Sequence, residues 1–482
     1  MLTYDLSKIK GPLYEGIYTY IKEDIQKSRL KADEKMPSKR ALAKNLGVSI
    51  ITIENAYDQL IGEGYLYTLP RKGYYVSRIE NLSKLQATST LSLDIHYPKP
   101  SKATINLSNN HIDSDDFPFS VWARLMRETI STKENALIKN STCGGVYELR
   151  QAIANHLASF RGMNVDPDQI VIGAGTEYLY GVLIQLLGAE KTICLENPGY
   201  KKIAQIYQSH HVNCTYANLD ASGISMEEIR ASGAEVVHIS PTHHFPTGIT
   251  MPIKRRYELL SWANEKEKQM IIEDDYDSEF RYKGKPIPAL QGSDSNGKVI
   301  YTGTFSKSLA PSIRMSYMVL YVNTFSKSLA PTIRISYMVL PRNLANLYYE
   351  KLAFYTCTVS TFEQYTLASF IEEGYFEKHI NRMRLAYGRR RKQMIECMKR
   401  HLDSKEYDLI ENDSGLHFIL CIHSKKSDDA FVQELEERGI HLSAIKDYFF
   451  DERKDTHQFL LNYASVHPEQ MDEIFQIMHE VI

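Results

Sequence analysis

A lysine, hydroxyl groups and an arginine stand close together at the end of an apolar run. Residues 301–320 read YTGTFSKSLAPSIRMSYMVL, so Lys307 follows Thr304 and Ser306 and precedes Arg314. Arginine and hydroxyl groups suit a phosphate, and a neighbouring cation lowers the pKa of a lysine until its amine becomes nucleophilic. The spacing therefore predicts a lysine that forms a Schiff base beside a bound phosphate.

Polar and aromatic residues follow three other apolar runs. Asp274 and Tyr276 come after QMII, Tyr200 lies in ENPGY after KTICLE, and Gly175 and Thr176 open an apolar helical stretch. A carboxylate in such a place can keep a pyridine nitrogen protonated, an aromatic side chain can cover a flat ring, and a helix start can bind an anion. Solvated loop acids, surface packing and ordinary capping glycines are the alternative explanations.

The segments that must position these residues alternate between short apolar runs and helical stretches. From about residue 106 the apolar runs are QIVIGAG, KTICLE, AEVVHIS, QMIIEDDYD and KVIYTGT. This alternation predicts a mostly parallel sheet covered by helices. Ligands bind at the carboxyl ends of the strands in such sheets, where these polar groups stand.

A tandem repeat complicates the choice of lysine. Residues 321–340, YVNTFSKSLAPTIRISYMVL, nearly duplicate residues 301–320 and supply a second candidate, Lys327. Lys307 is preferred, because a chain that returns through residues 316–322 would carry Lys327 to the opposite end of the sheet. Two alternatives stay open: the second copy fills the site, since a tandem copy can shift register, or the duplication abolishes ligand binding.

The first 78 residues form a basic segment with a pattern of its own. They hold 13 Lys/Arg and 9 Asp/Glu, a net charge of +4 in a chain whose total is −2. An apolar helical pattern begins at Leu13, and two further helices are predicted with caps at Ser38 and Ser49 and a turn at Gly47. A β-hairpin with a basic tip at residues 70–73 follows. This arrangement places one helix in a DNA major groove and the hairpin against phosphates.

Residues 13–76 resemble the GntR-type winged helix-turn-helix, whose pattern PSxRxLAxxLGVSxxTVxxAYxxLxxEGYL they follow closely. The resemblance implies DNA contacts from Ser38, Lys39, Arg40, Ser49 and Thr52, and from Arg71 and Lys72 on the wing. The family usually has arginine after the capping serine, where this chain has Ile50, so its affinity or sequence preference would differ. A three-helix packing module with solvated lysines is the alternative explanation.

The remainder of the chain resembles a fold-type I aminotransferase domain, on segments that include GGVYELRQAIANHL, HHFPTGITMP, IIEDDYDSEFRY and GTFSKSLAPSIRMSYMVLP. The whole chain resembles the MocR/GabR family of transcription regulators, which joins the two domains. We therefore expect a winged helix-turn-helix domain at residues 1–78, a linker at 79–105 and an α/β aminotransferase-like domain at 106–482. The last would comprise a large part at about 140–350 and a small part at about 351–482.

The resemblance implies that pyridoxal 5'-phosphate (PLP) is the cofactor and that Lys307 binds it, because Lys307 keeps the Gly303 of the family motif. Lys327 is the alternative. The implied partners are Asp274 for the pyridine nitrogen, Tyr276 for the ring hydroxyl and Tyr200 for the ring face. The implied phosphate site comprises Gly175, Thr176, Thr304, Ser306 and Arg314.

Three positions depart from the aminotransferase pattern. Ser465 stands where an arginine usually binds the substrate carboxylate, Asn140 stands about where a tyrosine of the neighbouring subunit reaches the phosphate, and Phe245 replaces the asparagine before Pro-Thr-Gly. These losses weaken the expectation of transamination more than that of cofactor binding.

We therefore expect a transcription regulator that binds operator DNA as a homodimer and senses a small amine or amino-acid-like effector through PLP. The alternatives are a working PLP-dependent aminotransferase with a fused DNA-binding module, and a PLP-free DNA-binding protein whose body serves dimerisation.

Composition limits the class of protein further. The hydrophobic share of 43% and the charged share of 24% are those of a soluble globular protein. No apolar stretch is long enough to span a bilayer. Six scattered cysteines suit reduced thiols better than a disulfide framework or a zinc site. These features predict a cytoplasmic protein with no membrane partner and no metal.

Overall fold

The computed structural model describes residues 2–79, 105–108, 117–282, 284, 286–305, 335–410, 414–464 and 466–482. The chain folds as two compact units, Met1–Lys99 and Pro100–Ile482. Most of the predicted linker, residues 79–105, lies outside the described residues. The predicted domain boundaries therefore stay a prediction.

The first unit is a three-helix bundle with a two-stranded wing. Its elements are α1 (Leu13–Gln26), α2 (Lys39–Leu46), α3 (Ile50–Gly62), β1 (Leu66–Leu69) and β2 (Gly73–Val76). The two strands pair antiparallel, with Leu66 opposite Val76. The sequence predicted all five elements.

Local capping explains where the helices of this unit begin and end. The side chain of Ser38 accepts a hydrogen bond from the amide of Ala41, and that of Ser49 accepts one from the amide of Thr52. Both bonds satisfy amides that have no partner within the helix. Gly47 closes α2 with φ of 67°, a conformation that favours glycine. The turn between α2 and α3 is thus set by sequence.

The second unit is built around a large sheet. Its elements are, in chain order, β3 (Ile105–Asn106), α4 (Phe119–Thr132), α5 (Glu134–Leu137), α6 (Tyr147–Arg161), β4 (Ile170–Gly173), α7 (Thr176–Leu187), β5 (Thr192–Asn197), α8 (Lys201–Ser209), β6 (Asn213–Asp220), β7 (Gly223–Ile224), α9 (Met226–Ser232), β8 (Val236–Ile239), α10 (Ile253–Glu265), β9 (Met270–Asp275), β10 (Val299–Thr304), β11 (Ser336–Val339), α11 (Arg342–Leu352), α12 (Thr361–Glu372), α13 (Tyr375–His401), β12 (Tyr407–Ile410), β13 (His417–Ile422), α14 (Asp428–Glu437), β14 (Ile440–His441), β15 (Ser443–Ala444), β16 (Gln458–Asn462) and α15 (Met471–Val481).

The large sheet has eight strands in the order β4-β11-β10-β9-β8-β5-β6-β7. The central pairs β10-β9, β9-β8, β8-β5 and β5-β6 are parallel, while β11 runs antiparallel to both β10 and β4. Strands β4, β8 and β11 are buried along their whole length, as expected of strands covered on both faces. The five predicted apolar runs are β4, β5, β8, β9 and β10, which confirms the predicted α/β class.

The C-terminal part of the second unit has a smaller sheet, β12-β13-β16-β15, whose strands all pair antiparallel. Its core forms against α13, α14 and α15, with Met383, Phe431 and Phe475 among the fully buried side chains. The first strand of the unit, β3, pairs with β14 of this part. Residues far apart in the sequence therefore pair with each other within the second unit.

Candidate functional site

A cavity of about 430 Å³ opens at the carboxyl ends of the central strands of the second unit. The residues that follow β4, β5, β8 and β9 or end β10 line it, as this class of sheet requires. Its wall includes Gly175, Thr176, Glu177, Tyr180, Glu196, Tyr200, Lys202, His238, Ser240, His244, Phe245, Asp274, Tyr276, Thr304, Ser336 and Tyr448. Six of the predicted site residues are among them.

The start of α7 forms one side of the cavity. Gly175 caps the helix with φ of 97°, and Thr176 is its first residue. Free backbone N–H groups at the first turn of a helix of this length attract anions. Glu177 in the same turn pairs with Lys202 of α8. The helix start is therefore open to an anion, whereas the nearby lysine already has a carboxylate partner.

Asp274 lies near the end of β9 and faces the cavity. Burial raises the pKa of its carboxyl to about 7, although hydrogen bonds from Tyr180 and Thr302 oppose the rise. The hydroxyl of Thr302 lies 3.3 Å from Oδ1 of Asp274. A buried carboxylate of this kind is suited to share a proton with a cationic ring nitrogen.

A second carboxyl, not predicted from the sequence, lines the same cavity. Glu196 near the end of β5 accepts a hydrogen bond of 2.9 Å from the amide of Ser240, and Nε2 of His244 lies 3.6 Å from its carboxylate. Burial, together with the charge of Asp274, raises the pKa of Glu196 to about 8. Burial also lowers the pKa of His244 to about 3. The position of Glu196 after an apolar strand was the sequence signal for it.

Aromatic rings form another part of the wall. Tyr200 is 49% exposed, and its ring meets that of Phe245 edge to face with centroids 5.7 Å apart. Phe245 also contacts Tyr448 at 5.2 Å. Deeper in the cavity the hydroxyl of Tyr276 lies 3.1 Å from Nδ1 of His243. A flat ligand would have an aromatic ring on one side and polar groups at its edge.

The first repeat begins within β10, and the second repeat contains β11. Thr304 ends β10, and its hydroxyl accepts a hydrogen bond of 2.9 Å from Ser336, the first residue of β11. The amide of Phe305 donates to the carbonyl of Ile335 at 3.1 Å. Both ends of the intervening segment therefore lie at the same edge of the sheet, beside the cavity. Ser306, Lys307, Arg314 and Lys327 lie within that segment and outside the described residues.

The strand beside β10 corrects one sequence argument. The pairing partner was expected to be residues 316–322 of the first copy, but the structure has Ser336–Val339 of the second copy there. That prediction is wrong. Both copies contain the sequence SYMVL, so local sequence cannot decide which of them supplies the strand between β10 and β4. The geometric reason for preferring Lys307 is thereby lost.

The first unit presents most of its predicted DNA contacts at the surface. Ser38, Arg40, Ser49, Arg71 and Lys72 are exposed, and Thr52 is half-buried. The hydroxyls of Ser49 and Thr52 lie 2.8 Å apart. Arg71 and Lys72 lie at the tip of the wing.

Lys39 differs from the other predicted contacts. Its Nζ lies 2.8 Å from Glu54 and 3.1 Å from Asp58 of α3, and its side chain is only 18% exposed. Although burial lowers the pKa of Lys39, the hydrogen bonds to these carboxylates raise it overall. Its charge is therefore matched within the first unit.

Both units match known families. Residues 102–477 match the family described as aminotransferase class I and II, and residues 13–76 match the bacterial regulatory proteins of the gntR family. The probable rhizopine catabolism regulatory protein MocR of Rhizobium meliloti is 29% identical, over 96% of this chain and 92% of that protein. The chain belongs to the MocR/GabR-type regulators.

Other relatives of this MocR/GabR-type chain align with it along most of their own length. The HTH-type transcriptional regulator YdeL of Bacillus subtilis is 34% identical over 96% of this chain and 95% of its own length. The pyridoxine biosynthesis regulator PdxR of Corynebacterium glutamicum is 28% identical over 89% of this chain and 87% of its own length. The chain is thus a transcription regulator with a DNA-binding domain and an aminotransferase-like domain.

Solved structures support the fold of the second unit. A multiple substrate aminotransferase from Thermococcus profundus superposes with a TM-score of 0.66 at 24% identity, over 80% of this chain and 92% of that one. The kynurenine aminotransferase of Pyrococcus horikoshii gives a TM-score of 0.65 at 22% identity, over 83% and 98%. At these identities the likeness shows the fold alone.

Two of the three predicted departures fall within the described residues of this MocR/GabR-type regulator. Asn140 lines a second cavity, with Ile138, Phe362 and Glu363. Phe245 lies in the aromatic wall, and Ser465 lies outside the described residues. No helix in the described part of the chain is long and apolar enough to cross a membrane.

Proposed function

We propose that this regulator binds operator DNA as a homodimer and senses a small amine or amino-acid-like effector through PLP held on a lysine. The observation that carries the proposal is the cavity in which a buried carboxyl, a helix start and an aromatic wall converge at the strand ends. That cavity belongs to the same chain as a helix-turn-helix. A cofactor site joined to a DNA-binding domain suits ligand-dependent transcription.

The residues of the cavity fit PLP. Asp274 would share a proton with the pyridine nitrogen, Tyr276 would bind the ring hydroxyl, and Tyr200 would cover the ring. The amides at the start of α7 would hold the phosphate. The phosphate site proposed from the sequence comprises Gly175, Thr176, Thr304, Ser306 and Arg314, and Lys307 is the proposed covalent anchor, with Lys327 as its alternative.

The cofactor, when bound, supplies an aldehyde that reacts with primary amines and a ring that withdraws electrons. The protein's own groups decide which amine enters. Glu177, Glu196 and Asp274 face the cavity, and Lys202, the lysine among its described lining residues, pairs with Glu177. Among the described lining residues, no unpaired lysine is available to bind a free carboxylate, and the carboxyl of Glu196 can accept a hydrogen bond from an amine.

A homodimer is supported by an exposed apolar group on the second unit. Ile138 is 83% exposed, Phe354 is 76% exposed, and Phe362 is 38% exposed. Ile138 and Phe362 line the same cavity as Asn140. Exposed apolar side chains of this size favour a protein interface, and a twofold dimer would present two DNA-binding domains to paired half-sites.

The regulatory step requires differential binding. An amine changes DNA binding only if it has different affinities for the DNA-bound and DNA-free states of the dimer. We therefore expect the amine to shift operator affinity, and operator DNA to shift amine affinity by the same factor.

The proposal is tested by incubating the full chain with PLP, reducing it with borohydride and mapping the modified lysine by mass spectrometry. We expect the label on Lys307, and a label on Lys327 instead would assign the anchor to the second copy. Lys202→Ala is the matched control, because this cavity lysine already pairs with Glu177. The absence of any stoichiometric label would overturn the role of PLP.

A working aminotransferase is the second candidate, favoured by the aminotransferase fold and by the position of Asp274. Steady turnover of an amino donor and a keto acid by the purified chain would support it. A single round of amine uptake combined with altered operator binding supports the regulator. Lys307→Ala and Lys327→Ala, singly and together, should abolish that response if the lysine is the sensor.

A further inference from the structure

The outer face of α3 carries apolar, amide and carboxylate side chains but no cation. Ile51 is 67% exposed, and Asn55 is exposed one helical turn later. From Ser49 to Glu63 the sequence SIITIENAYDQLIGE contains no lysine, arginine or histidine. We propose that α3 reads A·T base pairs in the major groove, with Ile51 against the thymine methyl group and Asn55 against the edge of adenine. This inference rests on the proposed function, because it takes α3 as the helix that enters the groove.

The burial pattern places both residues away from the core. The buried side of α3 consists of Ile53, Ala56, Tyr57 and Leu60. Residues four apart lie on one face of a helix, so Ile51 and Asn55 share the opposite face. An isoleucine held in solvent gains nothing from folding, whereas an apolar contact in a partner would bury it.

The other polar groups of this face are already engaged within the first unit. Lys39 lies 2.8 Å from Glu54 and 3.1 Å from Asp58, and the amide of Gln59 donates to Glu63 at 3.2 Å. Lys39 offsets part of the negative charge of these two carboxylates, which would otherwise repel DNA more strongly. Within the described residues, the side chain of Asn55 makes no such hydrogen bond, which leaves its amide for a base.

The chemistry of this face matches one base pair better than the other. Guanine is read chiefly by arginine or lysine, which donate two hydrogen bonds to its O6 and N7, and α3 has neither. Asparagine donates to N7 and accepts from N6 of adenine, and an apolar side chain contacts the methyl group of thymine. Attraction to phosphates would come from outside α3, from the exposed cations Arg40, Lys44, Arg71 and Lys72. Cations that flank an apolar reading face are complementary to a duplex with its phosphates outside and its methyl groups in the groove.

The test uses the full chain and a pool of randomised duplex DNA. After selection, the enriched duplex is resynthesised with 2'-deoxyuridine in place of thymidine, one position at a time, which removes only the methyl group. We expect affinity to fall about fourfold at each thymine that contacts Ile51. Ile51→Ala should bind the thymidine duplex more weakly by a similar factor and should no longer distinguish uracil from thymine.

Two further variants separate this reading from a general loss of binding. Asn55→Ala should lose the preference for A·T at the adjacent pair. Ile130→Ala is the matched control, because Ile130 is 46% exposed but lies on α4 of the second unit, and it should behave as the wild type. If selected duplexes bind equally well with uracil at every position, or if Ile51→Ala keeps its sensitivity to the methyl group, the inference is wrong while the regulator stands. A pool that enriches no sequence overturns the proposed regulator and this inference together.

Discussion

The two carboxyl groups of the cavity should make the stability of the second unit fall as pH rises. Burial raises the pKa of Asp274 to about 7 and that of Glu196 to about 8, whereas both titrate near pH 4 in an unfolded chain. Between these limits the folded state binds more protons than the unfolded state. The contribution of the two carboxyls to the free energy of unfolding therefore decreases through this window. It is fully retained below about pH 4 and levels off above about pH 8.

The expected size follows from the shifts. A shift of about three pKa units corresponds to roughly 4 kcal/mol for each group. The charge of Asp274 contributes to the shift of Glu196, so the two contributions overlap and their sum is an upper bound. We expect these two carboxyls together to remove on the order of 3–5 kcal/mol of unfolding free energy between pH 5 and pH 8 in the PLP-free protein, measured as the difference between the wild type and variants that lack them.

The assay can report on the second unit alone. The chain has two tryptophans, Trp122 and Trp262, and both are buried within the second unit. Urea unfolding followed by their fluorescence at pH 5, 6.5 and 8 gives the profile. Asp274→Asn and Glu196→Gln should each be more stable than the wild type at pH 8 and differ little from it at pH 5.

A surface carboxylate provides the control. Asp220 lies 2.7 Å from Arg255, which outweighs partial burial and lowers the pKa of Asp220. Asp220 is therefore charged in both states across this window, and Asp220→Asn should shift the whole curve without changing its slope. If the curves of unfolding free energy against pH run parallel for the wild type and both cavity variants, Asp274 and Glu196 do not have raised pKa values in the folded protein. Bound PLP should flatten the wild-type profile, because a pyridinium beside Asp274 favours its carboxylate.

Three other substitutions test the packing of the two units. Lys39→Ala should weaken binding to the selected duplex about tenfold, because it leaves two carboxylates of α3 without a cation near phosphates. Arg161→Met should lower the free energy of unfolding, monitored by tryptophan fluorescence, by roughly 3–5 kcal/mol. It leaves the carboxylate of Asp275, which lies 2.7 Å from Arg161 and is equally buried, without its cation. Gly47→Ala should cost about 1 kcal/mol in the first unit, because its φ is 67° although nothing lies within 4 Å of an added Cβ.

Each of these has a control within the chain. Lys27→Ala removes an exposed lysine that directly follows α1 and pairs with Glu23, and equal losses from Lys27→Ala and Lys39→Ala would contradict the special role of Lys39. The double variant Arg161→Met, Asp275→Leu should recover part of the stability lost by Arg161→Met alone, and no recovery would argue against a stranded charge. Gly62 also has room for an added Cβ, but it lies in α3. Gly62→Ala should therefore leave the stability of the first unit unchanged or raise it, as measured by hydrogen exchange of residues 38–62. A loss equal to that of Gly47→Ala would contradict the argument from φ.

Much of the fold could be predicted from local pattern. The caps Ser38 and Ser49, the turn at Gly47 and the wing all depend on residues that are neighbours in sequence, and all were found where expected. The five apolar runs became β4, β5, β8, β9 and β10, because a strand covered on both faces must be apolar throughout. Candidate residues at their ends were predictable for the same reason.

Relations between distant residues could not be predicted. Lys39 looked like a phosphate contact until the packing of α2 against α3 placed it beside Glu54 and Asp58. Glu196 became a cavity group only when β5 was set two strands from β9, which carries Asp274. Such contacts depend on which elements are neighbours, and local sequence does not encode that.

The tandem repeat shows most clearly what could not be predicted from the sequence. The sequence by itself determined that two copies of a lysine-bearing segment exist and that both contain SYMVL, the sequence found in β11. Only the tertiary structure decided that the strand of the second copy takes the place beside β10, because the sheet offers one position between β10 and β4 and two nearly identical segments compete for it. The physical reason is that pairing energy depends on the whole sheet and its connections, to which identical local sequences contribute equally.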